Sequence, residues 1–512
     1  MPASPRLSPE TALPRGVVPP AVVPTGVGIV HLGWGAFHRA HQAVYTQDAM
    51  AASGDLRWGV LGDVERSPEL VPALRDQSGR YTVLAVGPDA EGRVIEEARV
   101  IAAVADVAYP GFQPSALASS QTPRLLAAMA APTTHVITLT ITEKGYCRGA
   151  DGHLDLGVVQ SDVATFVAEV LGPVDTAATT AIGLLSRGLL ARFRGAGTPV
   201  TVLCCDNMAN NGVVLRRVVD EFIAAAADAG ADVEAFVAWL AGSTTWPSSM
   251  VDRITPRVTR AALDQIEQVV GVRDEAGVVA EPFSQWVIED WFAGPRPAWE
   301  LAGAQVVPGE VVVAWEEAKL RMLNGTHSVV AYAGRLFGHA TMAEAVMDPR
   351  IAVHARAYMF DDALPSVTAP AGADLGAYGQ GLLARFANPT TGHETAQVST
   401  DGSQKIPIRW GGVAVHHLAE GRVPGGVAFG LAAWSEFVRR AVRDGVDLGD
   451  PAGAPVLVAT AREAGLDDPA AVAAALVAVP GVLPDTVGTD ARLVRVAVEH
   501  ATILAAATTT LV

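Results

Sequence analysis

The pattern of hydrophobic and polar positions changes character once along the chain. From Val27 onward, short apolar runs alternate with helical ones. Val27–Leu32 runs into Gly33-Trp34-Gly35, and residues 58–62 form a second run. Residues 135–142 (HVITLTIT) and 199–205 (PVTVLCC) are two more, rich in β-branched side chains. Residues 115–131, 176–194 and 212–229 read as helices between them. Such alternation predicts a parallel sheet covered by helices on both faces. After about Glu310 strand-like runs thin out. Ala-rich helical patterns take over, as at 427–443, 456–464 and 469–477.

At 512 residues the chain exceeds one ordinary core. The texture change places the division near residue 308. The expected organisation is a Pro-rich arm over 1–26, an α/β parallel-sheet domain over 27–308 and a mainly α-helical domain over 309–512. The arm has no apolar core like that of a signal peptide, and no run of 18 apolar residues occurs, so a cytoplasmic protein without membrane spans is expected.

A formal charge of −17 argues against nucleic acid and anionic membranes as partners. The three cysteines, Cys147, Cys204 and Cys205, have neither disulfide nor zinc spacing. The expected partner is a small molecule, and the expected state a monomer or small homo-oligomer.

Residues 316–328, EEAKLRMLNGTHS, carry the densest candidate chemistry. On one helix at about 100° per residue, Lys319 sits at 0°, Glu316 near 60°, His327 near 80° and Asn324 near 140°. A base, an amide, an imidazole and a carboxylate then share one arc of roughly 140°, as acid–base chemistry at a carbonyl or alcohol carbon requires. The competing reading is a solvated polar face. Against it, the segment is otherwise apolar, and Gly325 inside the helix costs about 1 kcal/mol relative to Ala, so something else should approach there closely.

Gly33-Trp34-Gly35-Ala36-Phe37-His38 follows the first strand and opens a helix, where backbone N–H groups favour a pyrophosphate. His38 stands where the dinucleotide fingerprint has its third glycine, so an ordinary strand–helix turn competes. Asp63, Glu65 and Glu69 lie where an acidic side chain would take the ribose hydroxyls of NAD and repel a 2′-phosphate; Arg66 lies among them. Asp206-Asn207 closes an expected strand and reads as a ligand contact or a helix cap. Asp252 and Arg253 are a candidate site pair or an ordinary surface pair.

Taken together, GWGAFHRAHQAVY (33–45), TITEKGYC (140–147), CDNMANNG (205–212), MVDRITP (250–256), EPFSQWVIED (281–290) and KLRMLNGTHS (319–328) resemble the mannitol dehydrogenase family of polyol-specific long-chain dehydrogenases. The likeness covers roughly 27–440. It implies an expanded Rossmann-type domain, then a helical domain, and metal-independent hydride transfer between NAD and a polyol/keto-sugar pair. It implies Lys319 as general base, Asn207 and Asn324 as amides holding the reacting oxygen, His327 as a substrate-binding imidazole and Glu316 as a proton relay. It also implies Asp252 in the substrate site, Gly33, Gly35, Phe37 and His38 beside the cofactor, and Glu69 selecting NAD over NADP. The family often has Asp at that last position.

Glu143–Cys147 (EKGYC), KLRMLNG and DGSQKIP (401–407) look like the fructuronate reductase branch, whose substrate pair is D-fructuronate and D-mannonate. A carboxylate substrate needs a cation, and Lys144, Arg385, Lys405 and Arg409 are candidates. The alternatives are a mannitol, arabinitol or sorbitol dehydrogenase on the same scaffold, or a nucleotide-binding protein without catalysis. A short-chain dehydrogenase is disfavoured because no YxxxK occurs.

Overall fold

A computed structural model describes residues 5–89, 93–113, 115–116, 119–149 and 151–507. The chain divides into two compact units. The first comprises 1–86 and 94–313, the second 87–93 and 314–512.

The first unit is built on six parallel strands: β1 (Val27–Leu32), β2 (Gly59–Asp63), β3 (Val104–Ala108), β4 (Val136–Leu139), β5 (Val200–Cys204) and β6 (Thr244–Thr245). Their order is β3-β2-β1-β4-β5-β6. Val30 stands opposite Leu61 on one side and Ile137 on the other. The strands are apolar throughout because both faces are covered. Val30, Leu32, Ile137 and Leu139 pack with Met129, Ile182 and Phe222 on one face. Ile29, Val60 and Val136 pack with Met50, Trp286 and Trp299 on the other. The chain reverses sheet direction between β1 and β4, and ligands bind outside the carboxyl ends of strands at such a switch point.

Several expectations shift. The run 135–142 is strand only to Leu139, because Thr142 turns left-handed at φ +65°. The helix expected over 115–131 is observed as Thr122–Ala130, with Pro in its first turn; residues 117–118 lie outside the described set. Two further three-stranded sheets carry no long apolar signature: Val278–Ala280, Tyr81–Pro88 and Val94–Ile101 form one, Gln305–Val307, Gln285–Glu289 and Ser249–Asp252 the other. The Pro-rich segment packs on the first unit at two of its apolar residues. Leu7 and Val17 are buried against Ile266 and Val270, although residues 1–4 lie outside the described set.

The second unit is helical around two nearly enclosed helices, Gly325–Phe337 and Gly425–Asp444. On the latter, Glu436 is buried between Arg439 (2.7 Å) and Arg440 (2.5 Å). Arg440 also donates to the Ala505 carbonyl, fastening the last helix, Ala491–Ala507. No helix among the described residues is long and apolar enough to cross a membrane.

Candidate active site

In the first unit β1 ends at Gly33. Its φ of +84° is left-handed, and a Cβ there would run into the Thr140 carbonyl just beyond β4, so only glycine fits. Gly35 is exposed, and a Cβ would meet only the Gly33 carbonyl, at 3.7 Å. The five-residue helix Ala36–Ala40 starts here. Its first N–H groups lack acceptors within the helix. Open space over Gly35 beside those donors, at the β1/β4 switch point, fits a dinucleotide pyrophosphate.

The other cofactor candidates separate by burial. Asp63 is fully buried at the end of β2; its carbonyl accepts from Trp34 (2.6 Å) and its carboxylate from the Glu65 N–H (2.7 Å). Burial pushes that carboxyl well above the usual range, and its bonds brace the glycine turn. Glu65 is half-buried and Glu69 exposed, just before the helix Leu70–Asp76. Phe37 is half-buried and stacks on His41 at 5.0 Å. The His38 ring turns into the core instead, stacked on His31 at 3.6 Å. It has a backbone N–H for an anion, but its ring is taken by packing. His31 meets the Thr138 and Thr140 hydroxyls at 2.7 and 2.9 Å, and burial lowers its pKa to about 3.

Asp206 lies two residues beyond β5 and is committed to structure. Its carboxylate accepts from the Ile141 N–H (2.9 Å), the Thr142 N–H (3.0 Å) and the Tyr146 hydroxyl (2.6 Å). It thereby holds the four-residue helix Thr142–Gly145, on which Lys144 is exposed. Asn207 follows it, exposed in the turn. Asn211 pins that turn, donating to the Asp206 and Ser249 carbonyls at 2.8 and 2.7 Å. Asp252 and Arg253 are not a surface pair. Asp252 is buried at the end of its strand, and Arg253 donates to the Glu281 and Ala40 carbonyls.

In the second unit Lys319, Asn324 and His327 are 7%, 9% and 8% exposed, which removes the solvated-face reading. The segment is not one α-helix. Gly309–Ala318 is α-helical, Lys319–Asn324 is a wide π turn and Gly325–Phe337 is α-helical again. A π turn adds a residue to the spiral and winds everything beyond it back by about 100°. Asn324 then falls about 40° to one side of Lys319 and His327 about 20° to the other, with Glu316 still near 60°. For ideal geometry this narrows the arc from about 140° to roughly 80°.

His327 stacks on Phe386 at 4.2 Å and meets His393 edge-on at 5.2 Å. Burial, and then the nearby His393, Arg409, Arg385 and Lys319, hold its pKa well below that of free histidine. The ring is therefore a neutral hydrogen-bonding group. Arg409 donates to the Ser328 hydroxyl (2.7 Å) and the Asn324 carbonyl (3.2 Å). Arg385 is buried beside Phe386, Lys405 reaches the Thr400 hydroxyl at 3.1 Å, and Glu316 is half-buried one turn before Lys319. Phe386 and His393 were not foreseen, because they lie some sixty residues from His327 and carry no local motif.

Two family models match. The mannitol dehydrogenase Rossmann domain matches residues 27–301 and the mannitol dehydrogenase C-terminal domain residues 311–486. The chain belongs to the mannitol dehydrogenase family. It is an oxidoreductase. The D-mannonate oxidoreductase of Escherichia coli (strain K12) is 36% identical to this family member over 475 residues, 91% of this chain and 90% of that one. The structure of Pseudomonas fluorescens mannitol 2-dehydrogenase, a ternary complex with NAD and D-mannitol, matches with a TM-score of 0.78 and 30% identity, covering 98% and 97% of the two chains. A substrate-free D-sorbitol dehydrogenase matches with a TM-score of 0.82 and 27% identity, covering 98% of each.

Proposed function

We propose that this chain is an NAD-dependent dehydrogenase that interconverts D-fructuronate and D-mannonate, with Lys319 as general acid and base. What supports the chemistry is the burial of Lys319, Asn324 and His327 and the wide turn between them, which by helix geometry sets these three and Glu316 on one narrow arc. The likeness to D-mannonate oxidoreductase along most of both chains supports the substrate. So do the cations gathered around His327, of which Arg385 and Arg409 suit a carboxylate.

NAD, when bound, supplies the hydride acceptor for oxidation, and NADH the donor for reduction. Neutral Lys319 takes the hydroxyl proton of mannonate during oxidation, and protonated Lys319 returns it to the carbonyl oxygen of fructuronate during reduction. Asn207 and Asn324 donate hydrogen bonds to that oxygen as negative charge grows on it. His327, neutral and held flat by Phe386, orients a substrate hydroxyl. Glu316 passes the proton outward. Gly33 and Gly35 admit the pyrophosphate, Phe37 and the His38 backbone flank it, and Glu69 takes the ribose hydroxyls. Asp252 and Lys144 are the remaining proposed substrate contacts, with Lys405 in support.

Lys319→Ala tests the base. Turnover should fall by about three orders of magnitude or more, a general acid–base contribution and a lost site charge together, while NADH binding stays intact. Surviving turnover would remove Lys319 from the mechanism. Assaying NADH oxidation with D-fructuronate beside D-fructose tests the substrate. A preference for fructose would favour the neutral polyol reading, for which the likeness to mannitol 2-dehydrogenase speaks.

A further inference from the structure

Three segments of the second unit open into wide π turns: Lys319–Asn324, Tyr358–Ala363 and Pro407–Gly411. Such turns are rare and appear mostly as single-turn bulges inside α-helices. Here all three are joined through one side chain. In the first turn the Gly325 N–H reaches the Leu320 and Met322 carbonyls and passes over that of Arg321. An α-helix would have given the Arg321 carbonyl this N–H as its partner. Tyr358, the first residue of the second turn, donates its hydroxyl hydrogen to the Arg321 carbonyl at 2.9 Å. The second arm of the same bond points to the Arg409 carbonyl of the third turn, at 3.3 Å. Tyr358 is fully buried, and burial holds its hydroxyl well above the usual phenol range, so it remains a donor.

The neighbouring groups are shaped to this arrangement. A Cβ on residue 325 would collide with the Tyr358 hydroxyl, and one on residue 426 with the Tyr358 backbone. Both positions are glycine. Trp410 Nε1 donates to the Gly325 carbonyl at 3.1 Å, and Arg409 to the Asn324 carbonyl at 3.2 Å.

We propose that Tyr358 is a positioning residue for Lys319, its hydroxyl holding the Lys319–Asn324 turn in the wide register that brings Asn324 and His327 round to the lysine. This rests on the reading of Lys319 as the base. Two registers compete at this segment. In the α register the Arg321 carbonyl is satisfied by its own helix, and Asn324 and His327 rotate away by about 100°. In the wide register that carbonyl is orphaned unless another donor reaches it. Tyr358 is that donor.

Tyr358→Phe keeps the ring and removes the donor. Tyr332→Phe is the matched control, because Tyr332 is also buried and donates to a carbonyl, that of Ser399, at 3.0 Å. The assay is NADH oxidation at 25 °C with whichever of D-fructuronate and D-fructose the wild type reduces. Tyr358→Phe should lower kcat about 100-fold, as misplacement of a reacting group does. It should displace the pH–rate profile and leave NADH affinity within about twofold. Tyr332→Phe should lower only the melting temperature. Should Tyr358→Phe fail to fold, Gly325→Ala displaces the same hydroxyl and should give the same kinetic signature.

If Tyr358→Phe melts earlier but keeps the wild-type kcat and pH profile, or if Tyr332→Phe loses turnover equally, the proposal is overturned. Lys319→Ala in the same assay separates the two readings. Activity surviving in Lys319→Ala removes the base, whereas activity lost there but kept in Tyr358→Phe removes only the positioning role.

Discussion

Tyr146 donates its hydroxyl hydrogen to Asp206 at 2.6 Å, and through this bond the bend after β5 governs the turn that follows β4. Two backbone donors, Ile141 and Thr142, complete the shell. Thr142 is β-branched and left-handed, a conformation that persists only when its surroundings over-determine it. Tyr146→Phe should cost about 1–3 kcal/mol, since a buried acceptor loses one of its donors. Denaturant unfolding would measure this. An unchanged midpoint would show that Asp206 does not depend on the tyrosine.

The glycine turn after β1 makes a stricter demand. Gly33→Ala places a methyl against the Thr140 carbonyl in a left-handed conformation. The strained backbone alone should cost at least about 1 kcal/mol, and NADH affinity, read by fluorescence titration, should fall more than tenfold. Gly35→Ala meets only the Gly33 carbonyl, at ordinary contact distance, and should fold as well as the wild type while binding NADH more weakly. Full affinity in both variants would dissociate the turn from the cofactor.

Acid should destabilise the first unit in a defined window. His31 is neutral in the fold, with its pKa lowered to about 3. The unfolded chain takes up this proton near pH 6.5. The stability His31 contributes is therefore complete above about pH 6.5 and lost as pH falls below it, by about 2 kcal/mol at pH 5. Calorimetry at pH 7 and pH 5 would show the loss. His31→Gln, though less stable overall, should flatten that part of the slope; an unaltered slope would mean the imidazole is charged in the native state.

Arg385 sits beside the ring that holds His327 and close enough to act on it. If it pairs with a substrate carboxylate, Arg385→Gln should raise KM for D-fructuronate about 10–100-fold, the worth of a hydrogen bond to a charged group. D-fructose kinetics should change little. Equal losses on both substrates would make the arginine structural.

Some of this was readable in advance. The apolar runs of β1, β2, β4 and β5 stood out because a parallel sheet buries both faces, so burial writes itself into consecutive residues. Gly33 and Gly35 were readable because a tight turn and a close approach leave few residue choices. Gly325 signalled that something presses on the helix, and Tyr358 is what presses. The π turn was not readable. Its sequence, KLRMLN, suits an α-helix equally well, and the donor that favours the wide register lies 37 residues beyond Arg321. His38 was expected beside the cofactor; its ring packs on His31, because which face of a short helix turns inward depends on the sheet beneath it.

By itself the sequence determined the four apolar strands at the centre of the parallel sheet, the texture change near residue 308 and the set of groups able to do acid–base chemistry. Each of these follows from local periodicity or from side-chain chemistry. The tertiary structure alone decided the wide turn between Lys319 and Asn324, the commitment of Asp206 and Arg253 to bracing turns, and the depressed pKa of His327. Those outcomes depend on which distant groups satisfy a buried carbonyl or strip water from a ring, and folding alone brings such groups together.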